Sequence, residues 1–340
     1  MFGLFSKNSK PRTQVELPDQ TGCFGKMPIH PDFIRHNVSS REVVGFEKWI
    51  QEGVGLINRK HPGGFPEVYR SFPRYNFLLS GGEQERTLVG SLISSRDKSG
   101  RHYPFSIFVA AEVQLFREMQ AVVPLVYGDF FCDTEAIFGE NWTNEPLGLL
   151  TSRVDGIPHR DTGLTRRQLL EQQIALLQQI PMQQLWQQVF PGAGVEAPQR
   201  LFAALFSALR TVVRRGPTRT NWGIRLPLPA EGDQTPYVVF WVQIIESILE
   251  DRSWRAHYFW NRANTDHPAA LTLFFKPLPG SFLLQILNSG IDDGSVLDLA
   301  RELIAPQDEL ACMDLKRLLT SETATLLEVL YKAGRREILA

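Results

Sequence analysis

The first residues with the types and spacing for chemistry are Gly22, Gly25 and Lys26. A glycine pair before a lysine can cradle phosphate, because backbone amides approach the ligand where no Cβ intervenes. The first glycine of a phosphate loop is missing at its spacing, and Met27 stands where a Ser or Thr would hold magnesium. A tight turn after a strand accounts for these residues better. His159-Arg160-Asp161 reproduces the catalytic tripeptide of protein kinases, but Arg166 occupies the place of the metal-binding Asn. The kinase lysine strand and glycine-rich loop are missing too. His30, His36 and His61 lie near Asp32 without the helical His spacing or the Cys partners of a zinc site. No G-x-S-x-G elbow occurs. The expectation is therefore no catalytic set, no metal and no cofactor. One enzymatic reading stays open: a phosphate-handling or hydrolytic site built on the His30, Asp32 and Arg35 loop, which requires these side chains to converge in a deep pocket.

Charge narrows the partners. Thirty-six basic and 37 acidic side chains leave a formal net charge of -1, which argues against a strongly basic nucleic-acid protein. The one basic cluster is Arg210, Arg214, Arg215, Arg219 and Arg225, with no acid between them. It reads first as complementarity to the negative end of a helix and second as a surface for an anionic partner. Cys23, Cys132 and Cys312 are far apart and odd in number, as expected of buried reduced thiols in a cytosolic protein. The start, Met1-Phe2-Gly3-Leu4-Phe5, breaks at Ser6-Lys7, too soon for a signal peptide. The most apolar stretch, residues 237–249, falls short of the ~20 residues of a membrane span. A cytoplasmic chain without membrane insertion is expected.

The elements that would position these residues follow from periodicity. Residues 1–20 read as a flexible lead, and order begins with a short strand over 22–25. Residues 26–37, with Pro28 and Pro31, read as a loop. Ser39-x-x-Glu42 reads as a capping box opening a helix with Val43, Phe46, Ile50, Val54 and Ile57 on one apolar face. Gly45, Gly53 and Gly55 weaken this helix, and His61-Pro62-Gly63-Gly64 ends it. Strands over 75–79 and 87–93 form a hairpin through the turn at Ser80-Gly81-Gly82, and a third over 103–110 extends it into a meander. A helix follows over 125–138. The middle reads as helices, one opened by Thr165-x-x-Gln168, one by Pro181, and one over 198–215 ending at Gly216-Pro217. Then come a strand over 223–228 and a helix with Thr235 as N-cap and Pro236 as first residue. Strands over 254–260 and 271–275 and helices over 281–287, 296–304 and 322–336 complete the reading. The fold class is α/β (α+β): a mixed, mainly antiparallel sheet flanked by helices, with a helical insertion. The organisation is a module over 21–140, a helical region over 141–220 and an α/β portion over 221–340, which either continues the first module or stands beside it.

Two stretches resemble a known family. Gly25-Lys26-Met27-Pro28-Ile29-His30-Pro31-Asp32-Phe33-Ile34-Arg35 is similar to the pattern G-K-L-P-x-x-G-D-F-V-R of the TagF (ImpM) family of type VI secretion-associated proteins. That pattern is followed by a Trp-containing helix, and Phe46, Trp49, Ile50 and Gln51 fit it here. Residues 90–105, with Asp97, Gly100, Arg101 and Pro104, resemble the family's G-x-L-x-P-S-x-D-x-x-G-R-x-F-P-L. Phe240-Trp241, Tyr258-Phe259-Trp260 and residues 271–277 are similar to a weaker C-terminal pattern. Pro31 and Ser94 depart from the family's Gly and Pro, and Pro31 removes backbone freedom beside Asp32. The resemblance implies a non-enzymatic repressor of type VI secretion whose protein partner is the forkhead-associated (Fha) scaffold protein, rather than a nucleic acid. A structural component of the secretion assembly is the alternative. The resemblance marks Lys26, Pro28, Asp32, Phe33, Arg35, Asp97, Gly100, Arg101 and Pro104 as partner-binding or fold-holding residues.

Overall fold

Side chains alternate between the faces of a strand, and here both faces of one sheet are covered. In the computed structural model, residues 19–60, 69, 72–81, 85–111, 116, 118–158, 163–278, 280–287, 294–301 and 310–339 are described. The strands are β1 Gln20–Gly25, β2 Ile34–His36, β3 Tyr75–Leu79, β4 Thr87–Ile93, β5 Phe105–Ala111, β6 Gly223–Pro227, β7 His257–Asn261, β8 Ala270–Phe274 and β9 Val296–Asp298. Among the described residues they form one sheet in the order β2-β1-β5-β4-β3-β7-β8-β6-β9. Every pairing is antiparallel except β6 with β9. Phe24, Phe77, Leu88, Phe108, Phe259 and Phe274 point to one core, under helices α1 Arg41–Lys60 and α9 Phe282–Leu287. Their neighbours Cys23, Leu78, Val89, Ile107, Tyr258 and Leu273 point to the other.

That second core lies under the remaining helices. They are α2 Val123–Val126, α3 Gly128–Gly139, α4 Leu147–Asp155, α5 Arg166–Gln178, α6 Met182–Val189, α7 Glu196–Arg215, α8 Thr235–Leu249, α10 Met313–Thr320 and α11 Leu326–Ala333. The most apolar of them is α8, with Tyr237–Val242 and Ile244, Ile245 and Ile248 buried. A helix apolar all round is a core helix, which is what residues 237–249 become. No helix among the described residues is long and apolar enough to cross a membrane. The expected face of α1 is buried at Val43, Phe46, Ile50, Val54 and Ile57. Thr165 and Gln168 form the expected capping box at α5, and Gly216, at φ 87°, stops α7.

Strand β3 and helix α1 are among the elements that join the early part of the chain to the late part. Strand β3 pairs with β7 from Tyr75↔Asn261 to Leu79↔His257. Helix α1 meets α9 at Gly53, where a Cβ would lie 2.5 Å from Leu283 Cβ and 2.8 Å from the Gly280 carbonyl oxygen. The glycine that weakens α1 by propensity is therefore the one that lets α9 approach. Gly45 and Gly55 have nothing within 4 Å of such a Cβ.

Several expectations change. The 26–37 loop contains strand β2, whose ladder to β1 supplies the partners that its local sequence does not. Helix α1 starts at Arg41, one position later than a cap at Ser39 requires, and Val44 N bonds to the Ser40 carbonyl. The helix over 125–138 is two helices broken at Tyr127, before Gly128. Pro181 is the residue before its helix, and Gln234 rather than Thr235 precedes α8. Residues 296–298 are a strand, not a helix, because β6 offers them a parallel partner. The last helix is shorter, Leu326–Ala333, capped by Thr325 and Glu328. Helices α4 and α10 were not anticipated. Residues 1–18 of the lead, the turn residues 61–64 and Gly82, the tripeptide 159–161 and residues 302–304 lie outside the described residues. Cys23 is buried, and its thiol is pushed up to about 12 by burial and by Asp155, whereas Cys132 is exposed rather than buried and Cys312 is partly so.

Candidate functional site: the paired motif loops

Strand pairing brings the two motifs together. Gly25 at the end of β1 lies opposite Phe105 at the start of β5, and Phe105 also faces Ile93 at the end of β4. Residues 26–33 and 94–104 therefore leave the same end of the sheet side by side.

Asp97 sits between them with its side chain fully enclosed. Its Oδ2 accepts from Lys26 Nζ at 2.9 Å and from Arg101 Nε at 2.7 Å. Its Oδ1 accepts from the backbone amides of Ser99 and Arg101, each at 2.9 Å. A carboxylate has about four acceptor positions, so none is left for a ligand or a substrate proton. The loop closes on itself through Asp97 N to the Arg101 carbonyl (3.0 Å) and Gly100 N to the Asp97 carbonyl (2.9 Å). Gly100 takes φ 82°, a conformation that favours glycine. The two loops are stitched by Lys98 N to the His30 carbonyl at 3.1 Å and by Arg101 Nη2 to the Pro31 carbonyl.

Several of the other motif residues make contacts within the fold. Phe33 stacks on Phe24 (centroids 6.5 Å apart) and meets Tyr103 edge-on at 5.0 Å. Arg35 reaches away from the loops, its Nη2 bonding Glu47 Oε2 of α1 at 2.9 Å. Glu47 is nearly enclosed at 7% side-chain exposure, so this pair fastens β2 to α1. The Pro104 carbonyl packs against Gly25. Pro28 lines a groove of about 410 Å³ with Met27, Ser95, Arg96, His102 and Trp142. Asp32 is the outlier: 77% exposed, with its amide donating to His30 Nδ1 at 3.1 Å and its carboxylate 3.9 Å from Arg101. His30, Asp32 and Arg35 do not converge. His30 and Asp32 meet at the loop surface, while Arg35 turns to α1.

The sign of the Asp97 electrostatics gives a test. Burial opposes its ionisation, but the bonds from Lys26 and from the Arg101 amide and guanidinium outweigh it and hold the carboxyl well below the usual carboxylate range. A carboxyl lowered on folding stabilises the fold above its unfolded pKa, and that contribution is lost as pH falls towards the folded value. Asp97→Asn should therefore melt at lower temperature than the parent at neutral pH, and the difference should shrink as both are titrated into acid. A constant difference across pH 2–7 in thermal melts would exclude the charged network as its source.

These paired loops fall inside residues 22–141, which match the TagF N-terminal domain, type VI secretion system-associated. The chain carries a TagF N-terminal domain. The matched residues thus hold β1 from Gly22 onward, β2 to β5, α1 to α3 and both motif loops, and the β3 edge is completed by β7 from outside them. No curated protein matches the chain significantly. Among solved structures the chain is similar to PA0076 from Pseudomonas aeruginosa PAO1, at 13% identity, with 80% of this chain and 96% of that one covered and a TM-score of 0.47.

Sequence reasoning misplaced one residue and missed another. Arg225, grouped with the surface arginines, is buried on β6, where it pairs with Asp298 at 3.5 Å and donates to the Gln285 carbonyl at 3.2 Å. Its neighbours Ile224 and Leu226 face the opposite core. A lone Arg in an apolar strand is the signal that could have found it. Gln120, enclosed beside β3 and β7, carried no signal: it lies in no motif and no periodic run.

Proposed function

We propose that the chain is a cytoplasmic, non-enzymatic regulator of type VI secretion that binds the Fha scaffold protein and so blocks assembly. The TagF N-terminal domain over residues 22–141 carries this reading. The enclosed Asp97 adds to it, because a carboxylate with every acceptor position filled by its own loops suits a scaffold better than a reaction. Sequestration is the simplest mechanism: a surface that prefers the idle partner shifts the population away from the assembled state. The enzymatic alternative loses its premise, since His30, Asp32 and Arg35 form no common pocket. A part of the assembly remains the competing reading within type VI secretion.

Two measurements test the proposal. The full chain should retain the Fha protein of the same gene cluster in a pull-down; no retention with both proteins folded and at tens of micromolar would sink direct binding. Deleting the gene should raise secretion. A fall would instead identify an assembly component.

A further inference from the structure

The groove of about 410 Å³ that Pro28 lines lies where both motif loops meet the end of α3. Its floor is apolar. Met27 and Trp142 are buried beneath it, while Ile93 and Phe138 are only half-buried and leave carbon surface open to it. The Trp142 indole N–H is engaged by the Ile137 carbonyl at 2.7 Å, so this residue offers the groove its ring alone. Ser95 Oγ turns to Met27 Sδ at 3.4 Å, and Tyr69 Oη accepts from the Ser95 amide at 3.3 Å. The groove is open to solvent on one side. A small molecule would stay largely wet there, whereas a segment of a larger partner would also cover the opening.

The rim is cationic. Arg96 is exposed, and its guanidinium has no hydrogen-bond or ion-pair partner among the described residues. Residues 94–104 carry Arg96, Lys98 and Arg101 against Asp97 alone, and Asp97 is enclosed. Among the described residues that line the groove, Glu140 is the one acid, and Arg153 of α4 already holds it. Asn141 Oδ1 accepts from Thr143 N at 3.2 Å and Thr143 Oγ1 at 2.9 Å, which leaves Asn141 Nδ2 as a second donor at the rim. The backbone on either side of Arg96 is tied down. Tyr103 N bonds the Ser95 carbonyl at 3.1 Å, Asp97 N bonds the Arg101 carbonyl at 3.0 Å, and Arg96 faces His102 across an antiparallel bridge. The Asp97 clasp thus fixes the backbone of Arg96 before a partner arrives, which lowers the ordering cost of binding.

We propose that this groove docks a segment of a partner protein that sets an apolar side chain on the Ile93 and Phe138 floor and a carboxylate on Arg96. The unpartnered guanidinium and the Asn141 amide select the carboxylate by charge and hydrogen bonding. The floor selects its apolar neighbour, and an arginine beside a covered apolar pocket is where binding energy concentrates. A bare polyanion such as duplex DNA would leave the floor unfilled. The proposal deepens the reading that the chain works by binding a protein, and rests on it.

The test presents the full chain to a phage-displayed library of random peptides. Enriched peptides should place an apolar residue close to an Asp or Glu. The tightest of them, made synthetically, should bind the parent, lose affinity as salt rises, and bind at least about tenfold more weakly to Arg96→Glu. Arg96→Gln should weaken binding in the same direction without adding negative charge beside Asp97. Asn141→Trp, also at an exposed position, should fill the groove and lose the peptide while Arg96 remains. All three variants should melt with the parent. No enrichment, enrichment of sequences without acids, equal binding by parent and variants, or duplex DNA bound as tightly as the peptide would overturn the proposal. Binding lost in Arg96→Glu but kept in Asn141→Trp would overturn it too, by moving the site off the apolar floor. Titrating Fha separates the two readings. Fha bound alike by parent and Arg96→Glu, with no peptide lost on reversal, refutes the groove and leaves the Fha reading standing. Fha bound by neither, with the peptide lost on reversal, leaves the groove standing and refutes the Fha reading.

Discussion

Gln120→Leu is expected to destabilise the fold by about 3–5 kcal/mol, by stranding polar groups in a dry site. The side chain is 2% exposed. Its Oε1 accepts from Ser80 Oγ at 2.9 Å and from the Ala256 amide, and its Nε2 donates to the Trp254 carbonyl at 3.2 Å. Leucine has nearly the same volume, so the loss is not one of packing. It leaves the Ala256 amide and the Ser80 hydroxyl without this partner, each worth about 1–3 kcal/mol when buried, while the Trp254 carbonyl keeps the bond from Arg255 Nη1 at 3.0 Å. Ser80 follows β3 and Ala256 precedes β7, so the network fastens the two strands where they begin to pair. Urea unfolding should show a lower midpoint at unchanged slope. Ser80→Ala removes one bond and should cost only about 1 kcal/mol. Equal losses in the two variants would contradict a hub centred on Gln120.

Gly25→Ala should cost about 3–5 kcal/mol, from backbone strain and a clash that cannot relax cheaply. Gly25 has φ 126°, which side chains rarely adopt. A Cβ there would fall on the Pro104 carbonyl oxygen and 2.8 Å from Phe105 Cα. Both obstacles are backbone, so no rotamer change removes them. The shift would pass into the pairing of β1 with β5 and into the loops around Asp97. Thermal melting measures the cost. If the alanine variant melts within a degree or two of the parent, the close approach of the loops is not what makes glycine necessary.

The face of α1 and the meander of β3, β4 and β5 were legible because their signals are local. Helical spacing, alternation and turn residues each fix a structure within a few neighbours. Val296–Asp298 was misread because three residues carry no period, and its partner β6 lies some seventy residues earlier in the chain. The motif residues were legible as a set, but their role was not. The same Asp97 and Arg101 would mark a contact or a clasp, and the two backbone amides that Asp97 Oδ1 accepts carry no signal in the sequence. Arg210 and Arg214, four residues apart, were legible as one helix face, whereas the bond from Arg210 to the Leu339 carbonyl comes only through tertiary packing. Arg225 was counted with them because a run of like charges hides which member faces inward.

The ladder between β3 and β7 also sets a timetable for the newborn chain. Ribosomes add about 5–20 residues per second, so β3 waits on the order of 10–40 s before β7 is made. During that interval Phe77 and Leu78 sit on an open strand edge, the kind that recruits a stray strand from another chain. The hairpin with β4 forms early because its partner is adjacent, but it covers only one side of β3. Yield in the cell is therefore expected to depend on what shelters this edge during translation, and slowing association between nascent chains by cooling should raise it.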